Sequence, residues 1–153
     1  MCYALALFAF AVALGHLAPV AAQSDADRDA DRDAVRQAAL DYVEALYEVD
    51  SMRIVRSVHP ELAKHGYYQR SGAYRGAPMD YTALKELAMN WNRDPQRVDS
   101  ATAVKEIVVF DVLDKTASAK VTAHWGVDYM HLVKIDGRWM IRNILWQSPP
   151  PGE

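Results

Sequence analysis

The chain has 153 residues, 20 acidic against 17 basic side chains, a formal net charge of −3 and one cysteine. So slight an imbalance leaves no electrostatic footprint for nucleic acid or an anionic membrane surface, and a single cysteine excludes an internal disulfide. The length suits one domain with one core.

The opening residues, MCYALALFAFAVALGHLAPVAAQ, contain no Lys, Arg, Asp or Glu. Their apolar run, Ala4 to Leu14, is too short to span a bilayer comfortably. Val20, Ala21 and Ala22 then supply the small-x-small pattern of a signal-peptidase site. These features predict a signal peptide over 1–22 and a secreted or periplasmic protein with no membrane attachment after cleavage; an uncleaved anchor is the competing reading. Cys2 precedes the apolar run, so it is not placed as a lipid-anchor cysteine, and the mature part carries no thiol.

Ser24 opens SDADRDADRDA, whose acids early in a helix, with Arg four residues on, suit the positive helix end and form i,i+4 pairs. The segment has no Gly bend for a Ca²⁺ loop. Val35, Ala39, Tyr42, Val43 and Leu46 give that helix one apolar stripe, reaching to about Val49. Asp50 and Ser51 cap a short second helix carrying Met52, Val55 and Val58. PELAKHG, with Pro60 at its start and Gly66 at its end, reads as a helix of one or two turns. Tyr67 to Pro78 reads as a strand or loop pair turning at Ser71-Gly72. Asp80 caps a third helix with Tyr81, Leu84, Leu87, Ala88 and Trp91 inward. After Asp99 the period becomes two. Strands are expected over Val104–Leu113, Thr116–Trp125, Val127–Ile135 and Arg138–Gln147, with Asp136-Gly137 a strong hairpin turn. The tail after Gln147 is expected to be loose. Helices followed by antiparallel strands make an α+β domain over 23–147, helices packed on one face of a curved sheet.

Counting back from the two-residue turn at Asp136-Gly137 places Asp128, Met130, Leu132, Trp139, Ile141, Asn143 and Leu145 on one sheet face. The same arithmetic at Asp114-Lys115 sets Val112, Phe110 and Val108 against Ala117, Ala119 and Val121. An acid, an amide and small residues on one apolar face describe a pocket. The opposite face, with Tyr129, His131, Arg142 and Trp146, has the composition of a protein–protein surface.

The element order, with HPEL after the second helix, VDYMHLVK and DGRWMIRNILW, resembles the nuclear transport factor 2-like superfamily, and within it the family named putative lumazine-binding, over roughly Asp31 to Gln147. The resemblance implies a cone-shaped α+β fold with a pocket between sheet and helices, and a sheet-to-sheet homodimer. It leaves activity open, since the superfamily holds dehydratases, isomerases, cyclases and non-catalytic binders.

Asp128 in an apolar pocket is a candidate general acid or base; the competing reading is a structural acid bonded to Asn143, a tyrosine or an amide. His59, immediately before Pro60, is a candidate partner in a His59–Asp128 proton shuttle; otherwise it caps helix carbonyls. Tyr42, Tyr68, Trp91, Met130, Trp139 and Asn143 are the candidate ligand-binding residues, with Tyr47 and Tyr67 at the mouth. His65, His124 and His131 lack metal spacing, and neither a phosphate loop nor a GxSxG elbow is present; no cofactor or metal is expected. Three functions follow. The first is an exported protein binding a small apolar or aromatic molecule. The second is a cofactor-free dehydratase or isomerase, and the third is a dimerising interaction module. The placement of His59 and Asp128 discriminates among them.

Overall fold

The computed structural model describes residues 24–93 and 98–150; the expected signal peptide lies outside the described residues. The chain runs α1 (Asp25–Tyr47), α2 (Ser51–Ser57), β1 (Val58–Arg70), β2 (Ala73–Met79), α3 (Tyr81–Asn90), β3 (Lys105–Val112), β4 (Thr116–Ala123), β5 (Gly126–Ile135) and β6 (Arg138–Gln147). The six strands form one sheet in the order β2-β1-β6-β5-β4-β3. All neighbours are antiparallel except β1 and β6, which are parallel. α1 lies across β3, β4 and β6, and α3 against β1, giving an α+β architecture with helices on one face of a curved, unclosed sheet. No described helix is long and apolar enough to cross a membrane.

The helices start where the caps predict. Ser24, Asp50 and Asp80 each accept a backbone N–H of the first turn, from Asp27, Met52 and Ala83 at 3.1, 2.9 and 2.8 Å. The predicted stripe of α1 is buried in full: Val35, Ala39, Tyr42, Val43 and Leu46 are all at most 2% exposed. On α2 the stripe is displaced. Ile54 faces the core, while Met52 and Val55 are 61% and 39% exposed, because Ile54 and Val58, four residues apart, are the pair that meets α1 and the sheet. Arg53 joins the two helices, with Asp41 at 2.9 Å, Glu44 at 2.7 Å and Glu48 at 2.8 Å; Arg56 adds a 2.8 Å contact to Asp41. Burial pushes the Asp41 carboxyl up, but Arg56 and then Arg53 outweigh it and hold the group below its ordinary range.

α1 ends in a Schellman turn: the Asp50 N–H donates across the helix end to the Ala45 carbonyl at 3.0 Å. That leaves Val49, β-branched, at φ 58° where glycine is normal. Left-handed backbone costs an ordinary residue ~1–2 kcal/mol, and glycine gives back part of this through its freer unfolded chain. Val49→Gly is expected to raise stability by about 0.5–1 kcal/mol, read as a higher midpoint in urea. A lower midpoint would show that the half-buried valine side chain outweighs the strain.

Two other expectations are corrected. PELAKHG is not a helix but part of the 13-residue β1: its Lys64–Gly66 end is paired with β2 on one side and β6 on the other, and that pairing overrides local helix propensity. Both hairpins begin in the expected register and then slip by one residue. β5 and β6 pair from Ile135↔Arg138 to Leu132↔Ile141, but beyond a bulge at Arg142 the partners are His131↔Asn143, Met130↔Ile144, Tyr129↔Leu145 and Asp128↔Trp146. β3 bulges at Phe110, so Val109 and Ile107, not Phe110 and Val108, oppose Ala119 and Val121. A bulge bends and twists its strand, and these two, with a third register shift between Val58 and Ala63 where β1 meets β6, give the sheet a concave face. Past β6, Ser148 donates its N–H to the Tyr67 carbonyl and its hydroxyl accepts from the Gln69 N–H, at 2.9 and 3.2 Å.

Candidate functional site

The slipped register decides what lies under the helices. One row across the concave face reads Gly66, Trp146, Asp128, Val121, Ile107, and the adjacent row Lys64, Ile144, Met130, Ala119, Val109. Asp128 faces inward as predicted and is 0% exposed, because β5 itself carries no extra residue. Lys64 is two strands away, a distance of roughly 10 Å at sheet spacing, and its side chain crosses β6 to reach the carboxylate. At position 66 a Cβ would lie 1.7 Å from Trp146 Nε1, so only glycine lets the indole lie on β1 beside this crossing.

Asp128 accepts three hydrogen bonds. Its Oδ1 receives Lys64 Nζ at 3.2 Å and the Tyr42 hydroxyl at 3.1 Å, and its Oδ2 receives Trp125 Nε1 at 2.6 Å. Lys64, 6% exposed, also donates to the Tyr42 oxygen. A buried ion pair persists only where such bonds compensate the loss of water. Burial first, then the charge and hydrogen bond of Asp128, raise the Tyr42 hydroxyl well above the ordinary tyrosine range, so it stays protonated and donating at neutral pH. Burial raises Tyr47 too, against the His124 N–H that its oxygen accepts and with a smaller push from the Asp128 charge.

Above this network is a cavity of about 260 Å3. Its walls are aromatic: Tyr68, Trp91, Trp125 and Trp146, with Tyr42 at the floor. Trp91 and Trp125 meet edge to face, 5.1 Å between centroids, as do Tyr42 and Trp125 at 6.2 Å. Leu46, Met79 and Leu87 close the remainder. Lys64 is the lone charged residue in the lining among the described residues. Three larger depressions, of about 670, 560 and 470 Å3, are also present among the described residues, the first sharing Lys64 and Met79 with this cavity, but none is lined by a tryptophan.

Of the predicted ligand-binding residues, Tyr42, Tyr68 and Trp91 line this cavity. Met130 is core beneath it, 1% exposed. Trp139 is engaged elsewhere, its indole N–H donating to Asp31 at 2.8 Å, where Lys134 also binds at 2.6 Å. Asn143 is corrected to the outer face: the Arg142 bulge sets it opposite His131, and its amide donates to the Ala63 carbonyl at 2.8 Å. Tyr47 is buried behind the wall and Tyr67 is on the outer face, 43% exposed. The structure does not form the His59–Asp128 pair. Pro60 lies within β1, His59 is half-buried in the irregular stretch between Val58 and Ala63, and its Nδ1 accepts the Glu61 N–H at 3.1 Å. Lys64, Trp125 and Trp146 were missed. Leu62-Ala63-Lys64-His65-Gly66 alternates like a strand, and a lone lysine at an inward position was the available signal. Among the described residues no group of His, Cys, Asp or Glu is arranged to hold a metal ion.

The family profile described as "Putative lumazine-binding" matches residues 30–147. No curated protein matches the chain. Among solved structures, an NTF-2 like protein of unknown function from Silicibacter pomeroyi superposes with a TM-score of 0.60 at 16% identity, covering 79% of this chain and 98% of its own. One from Methylobacillus flagellatus gives 0.60 at 20% identity, covering 79% and 94%. A structure titled putative scytalone dehydratase, from Novosphingobium aromaticivorans, gives 0.53 at 13% identity, covering 82% and 89%. At these identities the likeness establishes the fold.

Proposed function

This chain belongs to the putative lumazine-binding family of the nuclear transport factor 2-like superfamily, and from that premise we propose that it is an exported protein binding a small, flat, mainly apolar molecule above Asp128. The observation that carries the reading is an aromatic chamber whose single charged corner, Lys64, is held in place by a buried carboxylate. Apolar walls with a few fixed polar groups are the usual make-up of a small-molecule site. At interior packing density the chamber accepts a van der Waals volume of roughly 190 Å3, a molecule of one or two rings. Lumazine, the two-ring compound in the family's name, falls in that range.

The alternative, a cofactor-free dehydratase or isomerase, draws on the scytalone dehydratase title of one structural neighbour. It needs an uncommitted base over the substrate. Asp128 already accepts three donors, and His59 is engaged with Glu61. Binding is the better supported reading.

The test is a thermal-shift and tryptophan-fluorescence screen of the mature protein against one- and two-ring compounds, lumazine included. A ligand at a hundred times its Kd stabilises by ~2.7 kcal/mol, which is roughly 5–10 °C for a domain of this size. Trp91→Ala should weaken the hit. If no compound moves either signal, the reading fails. A homodimer through the outer sheet face belongs to the same proposal, supported by Tyr129 and Leu145, directly opposed there and 52% and 49% exposed; light scattering should return about twice the monomer mass.

A further inference from the structure

We infer that the chamber selects an electrically neutral ligand offering a carbonyl-type oxygen to Lys64, and turns carboxylates away. This rests on the binding reading above and adds the charge class of the occupant. A lysine at the floor of an aromatic chamber suggests at first an anion receptor. The charge count opposes that. Lys64 and Asp128 are 3.2 Å apart with side chains 4% and 0% exposed, so their charges cancel within the site, and no other lining residue is charged among the described residues.

The donors are apportioned in the same sense. An ammonium group has three N–H bonds. One goes to Asp128 and one to the Tyr42 oxygen. The Tyr42 hydroxyl donates to Asp128 and Trp125 Nε1 does likewise, so neither offers its proton to a ligand. The third N–H of Lys64 remains, with the ammonium 5.0 Å from the Tyr42 ring centre and 5.6 Å from that of Trp146. A neutral oxygen acceptor satisfies it and loses little water on entry. A carboxylate would lose its full hydration, meet a cation already matched, and approach the Asp128 carboxylate behind it.

Two probes of almost equal shape separate the cases: 2-acetylnaphthalene and 2-naphthoate, titrated by calorimetry at neutral pH. The wild-type protein should bind the neutral ketone at least ~10-fold more tightly, a difference of ~1.4 kcal/mol. In Asp128→Asn the cation loses its counter-ion, so the order should reverse, with naphthoate giving the larger thermal shift and restoring stability. In the double variant Lys64→Met/Asp128→Asn, which removes both charges, the ketone should weaken about tenfold relative to wild type, and this arm stands even if the single variant does not fold. Equal or tighter binding of naphthoate to the wild type overturns the inference and leaves the binding reading intact. Unchanged ketone binding in the double variant overturns the role of Lys64. If neither probe binds the wild type, the inference and the binding reading of the chamber fail together.

Discussion

Asp128→Asn is expected to lower the unfolding free energy by about 3–5 kcal/mol, the cost of leaving a buried cation unpaired. Lys64 is 6% exposed and Asp128 is 0% exposed, so neither can turn to water without opening the sheet or lifting α1. A domain of ordinary stability holds ~5–15 kcal/mol in reserve, so the variant should remain folded at room temperature with a much lower urea midpoint. Lys64→Met/Asp128→Asn should recover most of the loss, because methionine matches the lysine stem and no charge is left stranded. The double-mutant cycle would then report a coupling far above that of a surface pair. A loss below ~1 kcal/mol in the single variant would show that the pair is solvated and that the chamber has no fixed polar corner.

Gly126→Ala should be nearly as damaging, at about 3 kcal/mol or more, for a different reason. Gly126 has φ 129°, and a Cβ there would lie 2.0 Å from the Gln147 carbonyl oxygen. The obstacle is backbone of the last strand, which cannot rotate aside. Gly126 also closes the tight β4–β5 turn that presents Trp125 to Asp128. The alanine variant should therefore lose stability and, at temperatures where it folds, bind ring compounds weakly with altered tryptophan emission. Wild-type emission and an unchanged urea midpoint would refute this.

Both predictions depend on residues whose legibility in the sequence differed. Asp128 could be placed because the Asp136-Gly137 turn fixes β5 through simple alternation, and β5 has no bulge. Asn143 could not, because one extra residue at Arg142 moves everything after it to the other face, and nothing local in IRNIL marks that residue. Phe110 in β3 is the same failure. The helix stripes of α1 and α3 were readable, since their buried positions repeat without interruption. Lys64 was hidden by a different competition. Pro60 followed by Glu-Leu-Ala-Lys has good helical chemistry, and the strand exists because β6, some 80 residues later, pairs with it. The carboxylate was legible, then, and its cation was not. A partner reached only through a parallel crossover leaves little signal within its own segment beyond the short alternation around Lys64.

That crossover also sets a timetable. Every other pairing in the sheet joins neighbours along the chain, whereas β1 and β6 bring together the first strand and the last. Until β6 pairs, β1 lacks its second neighbour and nothing holds Lys64 beside Asp128. Distant pairings of this kind form slowly. The aromatic chamber, lined from Tyr42 to Trp146, is therefore completed only when the last strand joins the first.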